Sequence, residues 1–118
     1  MSVSAGFKEF LIEHMADFGP VTIRAMFGGA GVMRDGQMFA LIDDDVLYFK
    51  ADETTRTAFE AEGLGQFTYK AKGGKLMEMN YWRAPERSMD DPDEMANWCR
   101  VAFGVALKSA AKKKPNRQ

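Results

Sequence analysis

The stretch from Val21 to Lys50 constrains the fold more than any other, because its apolar segments are separated by turns too short to hold a helix. Val21, Ile23, Ala25 and Phe27 alternate with Thr22, Arg24 and Met26, which is the period-two pattern of a strand. Gly28-Gly29-Ala30-Gly31 reads as a glycine-rich bend or bulge, after which Val32-Met33-Arg34 resumes the extended pattern. Asp35-Gly36 has the composition of a type I′ hairpin turn, in which both central residues need positive φ. Gln37 to Ile42 is apolar on both faces, with Met38, Ala40 and Ile42 on one and Phe39 and Leu41 on the other, so it belongs inside a sheet. Asp43-Asp44-Asp45 makes the next turn, and Val46 to Lys50 is a further strand rich in β-branched and aromatic residues. Connections this short join antiparallel neighbours.

Helical periodicity flanks this region. Phe7, Leu11, Met15 and Phe18 recur at three- and four-residue spacing, predicting a core-facing helix over Ser4 to Phe18 that Gly19 and Pro20 end. A short helix is expected over Thr54 to Glu62, with Asp52 as N-cap and Gly63 as stop. Phe67 to Lys70 and Leu76 to Trp82 read as strands around a Lys72-Gly73-Gly74-Lys75 turn, and Arg83-Ala84-Pro85 ends the second. Asp91-Pro92-Asp93-Glu94 combines an N-cap, a proline at the first helical position and a capping-box acid. The helix that follows runs to about Ala111 and is apolar almost all the way round, which predicts deep burial or an interface. The fold class is α+β: an antiparallel sheet of about five to six strands flanked by an N-terminal helix, a short middle helix and a long C-terminal helix. Residues 1–111 form one domain and residues 112–118 a basic flexible tail.

Composition narrows the function classes. The longest near-continuous apolar run, Val101 to Leu107, is far short of the roughly 20 residues of a membrane span. The first residues lack the basic start and apolar stretch of a signal peptide, so a cytoplasmic protein without membrane contact is expected. One cysteine and one histidine exclude an internal disulfide and a cysteine- or histidine-rich metal site, and no organic cofactor or metal is expected. Cys99 sits in the apolar helix as a small hydrophobe, and His14 has no partner for metal binding or nucleophilic catalysis near it in sequence. The glycine cluster is followed by a hairpin rather than a helix, which removes the phosphate-cradle reading. Adjacent carboxylates such as Asp43 to Asp45 rarely converge on one cation. The methionines at 26, 33, 38, 77 and 79 are expected to fill a core.

Charge is unevenly spread. Six of the 16 basic residues lie between Arg100 and Gln118, and all 17 acidic residues precede them. A tail of this sign favours an anionic partner. Lys70, Lys72, Lys75, Trp82 and Arg83 interleave charge with an aromatic ring, the composition of a sheet surface that holds single-stranded nucleic acid, although no RNA-binding or helix-turn-helix signature accompanies them.

The ordered series Arg24-Ala25-Met26-Phe27-Gly28-Gly29-Ala30-Gly31-Val32, Asp35 to Ile42, Leu47-Tyr48-Phe49-Lys50, Phe67-Thr68-Tyr69 and Tyr81-Trp82-Arg83-Ala84-Pro85 resembles the N-terminal domain of the TfoX/Sxy family, over roughly residues 7 to 107. The resemblance implies a small α+β domain without known catalytic machinery. It also implies positive control of competence-gene transcription in concert with a cyclic-AMP receptor protein. Full regulators of the family carry a second, helical domain, whereas this sequence passes from its long helix to a lysine-rich tail. The family supplies no catalytic or DNA-reading residue to transfer.

Two function classes follow. One is a non-enzymatic regulatory domain that contacts a regulator or the transcription machinery, with weak DNA contact. Its candidate contact residues are Arg24, Lys50, Lys72, Lys75, Arg83, Lys112, Lys113 and Lys114. The other is a small-molecule-binding or enzymatic domain with a pocket between sheet and helices. The apolar surplus of the long helix leaves two expectations open: a homodimer through it, or cover by the first helix and a loop within one chain.

Overall fold

The computed structural model describes residues 3–26 and 28–113, the side chain of Lys113 aside. Phe27 and the tail from Lys114 lie outside the described residues. The elements follow the order α1 (Ala5–His14), β1 (Thr22–Met26), β2 (Gly29–Arg34), β3 (Gln37–Asp43), β4 (Val46–Lys50), α2 (Arg56–Ala61), β5 (Gln66–Lys70), β6 (Leu76–Arg83) and α3 (Pro92–Lys113). The six strands form one antiparallel sheet in the order β1-β2-β3-β4-β6-β5. β3 lies inside the sheet, and Phe39, Ala40, Leu41 and Ile42 are all buried.

The turns are local solutions. Asp35 and Gly36 both take positive φ, 51° and 79°, between the paired residues Arg34 and Gln37. Asp44 and Asp45 do the same at 56° and 59°, a conformation that short polar side chains tolerate. Asp45 has a second role, because its Oδ1 accepts the Ser4 backbone N–H at 2.8 Å. Ser4 in turn caps α1, its Oγ accepting from the Phe7 N–H at 3.1 Å. The β3–β4 turn therefore fixes where α1 begins.

One face of the sheet carries the core. Val32, Ala40, Phe49 and Trp82 stand opposite one another on successive strands, with Ala30, Ile42 and Leu47 in the next row, and all are buried. α3 crosses β3 and β4 with Met95, Ala96, Cys99, Ala102 and Ala106 buried. Phe18, Phe39 and Phe103 form a ring cluster with centroids 5.2–6.1 Å apart. Arg34 lies 4.6 Å from the Phe18 ring centroid and donates from Nη1 to the Phe18 carbonyl. At the other end of α3, Arg87 makes a two-pronged contact with Glu62 at 2.7 and 2.8 Å and reaches Glu94 from Nε at 3.1 Å.

Several expectations are corrected. α1 ends at His14, four residues early, and Met15 to Phe18 continue as turns whose side chains still complete the apolar stripe. Gly29 and Gly31 are strand residues, not a bend: a Cβ on Gly29 would sit 2.3 Å from the Ile42 carbonyl oxygen, so only glycine allows β2 to pair there. The alternation along β3 is broken by a bulge opposite Val32/Met33, which makes Phe39 the extra residue and seats it in the core beside Ala40. Glu94 does not close a capping box. Its Oε1 accepts from Arg87 and from Trp98 Nε1, and the Asp91 N–H bonds the Arg87 carbonyl instead. Asp91 does cap α3, accepting from the Asp93 N–H at 2.9 Å. Asp52 accepts from the Thr54 and Thr55 N–H groups in a turn before α2, which starts at Arg56. α3 is not buried all round, since Val101, Gly104 and Leu107 are exposed. None of the five strand methionines is fully buried; the buried methionines are Met15 and Met95, on or beside helices.

Two predictions follow from this architecture. Gly36→Val places a β-branched side chain at φ 79° and destabilises the domain by about 1 kcal/mol or more, read from urea melts of both proteins. Burial pushes the Cys99 thiol and the Tyr81 phenol up to about 12, from ordinary values of 9.0 and 10.0. Above pH 9 the unfolded chain releases protons that the native state keeps. The stability these groups contribute is therefore intact below pH 9 and declines as the pH rises toward 12. Denaturant melts across that range, with tyrosinate absorbance followed in parallel, measure it.

Candidate functional site

The face of the sheet opposite the core gathers the basic strand residues. Directly paired residues share a face, so Arg24, Gly31, Leu41, Tyr48 and Arg83 form one transverse row across β1, β2, β3, β4 and β6. Four strand spacings place Arg24 and Arg83 roughly 19 Å apart along it. Gly31 lets methionines close over the middle of this row: a Cβ there would lie 2.9 Å from Met38 Sδ and 3.2 Å from Met26 Cε. Tyr48 meets Phe67 edge-on at 4.9 Å, and Phe67 stacks toward Tyr69 at 6.4 Å. Burial raises the Tyr48 phenol above its ordinary pKa, with Arg83 opposing the shift and Asp43 and Asp44 adding to it. Lys50, one row away, places Nζ 5.2 Å from the Tyr81 ring centroid.

The second feature is an overhang. β4 pairs with β6 only from Tyr81 to Arg83, so the rest of β6 is paired with β5 alone. The pairing of β5 and β6 shifts between Gln66 and Thr68, where β6 spends two extra residues and Gln66 Nε2 donates to the Met79 carbonyl at 3.0 Å. Beyond that irregularity, Thr68–Lys70 and Leu76–Glu78 form a two-stranded ribbon closed by a 3-10 turn over Lys72–Gly74. Gly73 and Gly74 both take positive φ in that turn. The ribbon exposes Leu76 (62%), Tyr69 (45%) and Met77, with Lys70, Lys72 and Lys75 beside them.

The predicted contact residues thus divide into groups. Arg24, Arg83 and Lys50 share the outer sheet face, Lys72 and Lys75 flank the ribbon tip, and Lys112 is exposed in the last turn of α3. Lys114 and the side chain of Lys113 lie outside the described residues. Trp82 is not on this surface, because it packs in the core at 6.5 Å from Phe59. The exposed ring beside the ribbon lysines is instead Tyr69, which alternation alone does not distinguish from the half-buried Phe67 on the same face.

A groove of about 470 Å³ opens between the start of β4, the Gly63–Gly65 loop and the Glu86–Met89 turn. Its charged lining residues are Asp45, Arg83 and Glu86, and no cysteine, histidine or hydroxyl side chain lines it. Cys99 is buried, and its raised pKa keeps the thiol protonated at neutral pH. His14 Nε2 pairs with the Ser88 carbonyl at 2.7 Å. Among the described residues no three His, Cys, Asp or Glu side chains converge to hold a metal ion, and no helix is long and apolar enough to cross a membrane.

The chain is similar to Protein Sxy of Escherichia coli (strain K12), with 27% identity over 96 residues. That match covers 81% of this chain and 46% of the relative, so the chain spans about half the relative's length. The TfoX N-terminal domain model matches residues 13–106, from the end of α1 through the buried seam of α3, and the chain belongs to that family.

Proposed function

We propose that this chain is a non-enzymatic regulatory domain that contributes to control of competence-type genes through contacts with a regulator protein, supplemented by weak contact with DNA. Membership of the TfoX N-terminal domain family and similarity to Sxy support the regulatory role. The observation that carries the contact mode is the β5–β6 ribbon. A two-stranded ribbon with exposed Tyr69, Leu76 and Met77 gains little from folding on its own, and lysines at its tip add charge without internal packing. Its composition suits an external contact that joins apolar burial to electrostatic steering.

Protein contact takes precedence over DNA reading in this proposal, because all 17 acidic residues lie before Arg100 and oppose a continuous phosphate-tracking surface. The reading places the domain in the cytoplasm; α3 continues to Lys113, two residues beyond the expected end at Ala111, so Lys112 and Lys113 belong to the helix rather than to a tail.

Two measurements test it. Lys72→Glu combined with Lys75→Glu leaves the melting temperature within about 2 °C, since both side chains are exposed, and abolishes the domain's effect on competence-gene transcripts in a strain carrying the variant allele. Unchanged transcripts would remove the ribbon from the mechanism. Truncation after Ala111 leaves thermal stability nearly unchanged and lowers the salt slope of DNA binding by up to about four units of ~0.9 each, for the four basic residues removed. Equal slopes for the two proteins would place any DNA contact on the folded body.

A further inference from the structure

The exposed face of α3 carries apolar residues and a glycine, beside an Arg100 that donates to Asn97 Oδ1 at 2.7 Å on the same face. At 100° per residue, Asn97, Gly104 and Ala111 fall along the middle of that face. Arg100 and Leu107 form one side, and Val101 and Lys108 the other. All seven residues are exposed, Val101 at 45% and Leu107 at 47%. The core seam of Met95, Ala102 and Ala106 lies on the opposite side of the helix.

Gly104 is the informative residue. A glycine inside a helix is destabilising relative to alanine. A Cβ built on Gly104 meets nothing within 4 Å, so alanine would fit and no intramolecular packing requires the glycine. A bare backbone between two apolar side chains is what close approach of a second helix needs.

Charge selects the occupant. From Met95 to Lys113 the helix has no acidic residue, while Arg100, Lys108 and Lys112 rim the face. A second copy crossing antiparallel at Gly104 would bring Val101 to Leu107, but it would also bring Arg100 to Lys108. A parallel copy would set each cation against itself. Asp52 of the same chain acts on Lys108, and Arg100 bonds the neutral Asn97 amide, so among the described residues no carboxylate pairs with Arg100.

We propose that this face is a docking site for an acidic amphipathic helix of a partner protein, whose apolar side chains lie over Gly104 between Val101 and Leu107 and whose carboxylates meet Arg100, Lys108 and Lys112. The proposal rests on the reading of the chain as a partner-contacting domain, and it assigns a second contact surface, apart from the β5–β6 ribbon, together with the chemistry of its partner.

The probe is a labelled synthetic amphipathic peptide with leucines at i, i+3, i+4 and i+7 and glutamates on the flanks, titrated against the full chain by fluorescence anisotropy. A second peptide replaces every glutamate with lysine. The glutamate peptide binds at least about tenfold more tightly than the lysine peptide, and added salt weakens it. Leu107→Glu weakens it by a further factor of about ten or more. Gly104→Ala raises the melting temperature yet weakens the peptide, two opposite changes that a purely structural role for Gly104 would not produce. Lys72→Glu combined with Lys75→Glu leaves peptide binding unchanged, which separates this surface from the ribbon. Failure of the glutamate peptide to bind, equal binding of both peptides, or wild-type binding by the Gly104 and Leu107 variants would overturn the proposal. A light-scattering dimer dispersed by Leu107→Glu would overturn it too, by giving the face to a second copy.

Discussion

The close seating of α3 on the sheet is the contact on which the rest of the structure depends. The helix offers small residues, Ala96, Cys99, Ala102 and Ala106, and the core they enter is filled from elsewhere by Phe39, Phe49, Phe59 and Trp82. Small residues on one side let large rings on the other reach full burial at native packing density. Each fully buried aromatic side chain contributes roughly 1.5–3 kcal/mol from apolar area alone, before packing terms. The bulge at Phe39 belongs to this arrangement, because it turns one more ring toward Phe18 and Phe103 where strict alternation would have pointed it away.

With the buried seams of the helices committed to one side, the other side of the sheet is finished by its own side chains. Gly31 admits Met26 and Met38 over the central strands, and Tyr48, Phe67 and Tyr69 continue the cover toward β5. Arg24 and Arg83 stand at the ends of the same row. Methionine in this position adapts its shape to neighbours, and Met26 and Met38 are half-buried here rather than sealed in the core.

Electrostatics divides along similar lines. One acidic network lies near the start of α3, where Glu62, Arg87, Glu94 and Trp98 are linked by hydrogen bonds, while Asp45 and Asp52 hold backbone N–H groups at the starts of α1 and α2. Arg87 holds the Glu62 carboxyl below its usual range. Lys70, Lys72 and Lys75 of the ribbon and Lys108 and Lys112 of α3 are exposed instead. The arrangement leaves cations accessible and ties several anions into the fold.

Local chemistry was legible in the residues themselves. The Asp35-Gly36 turn, the Asp44-Asp45 turn, the strands from β3 to β6 and the Asp91-Pro92 start of α3 depend on side chains within a few positions of one another, and turn and cap preferences act over that range. The family was legible for a related reason, since its motifs are these same turns and strands in order. Three things required the tertiary structure. The strand order places β6 between β4 and β5, a non-local pairing that no turn residue encodes. The overhang of the β5–β6 ribbon exists because β4 ends at Lys50, so the exposure of Tyr69 and Leu76 depends on the length of another strand. The bare side of α3 carries the polar Asn97, Arg100 and Lys108, but the exposure of Val101 and Leu107 between them depends on which arc the sheet occupies. Turns and caps are decided by neighbours along the chain, whereas exposure is decided by whatever the rest of the molecule has already covered.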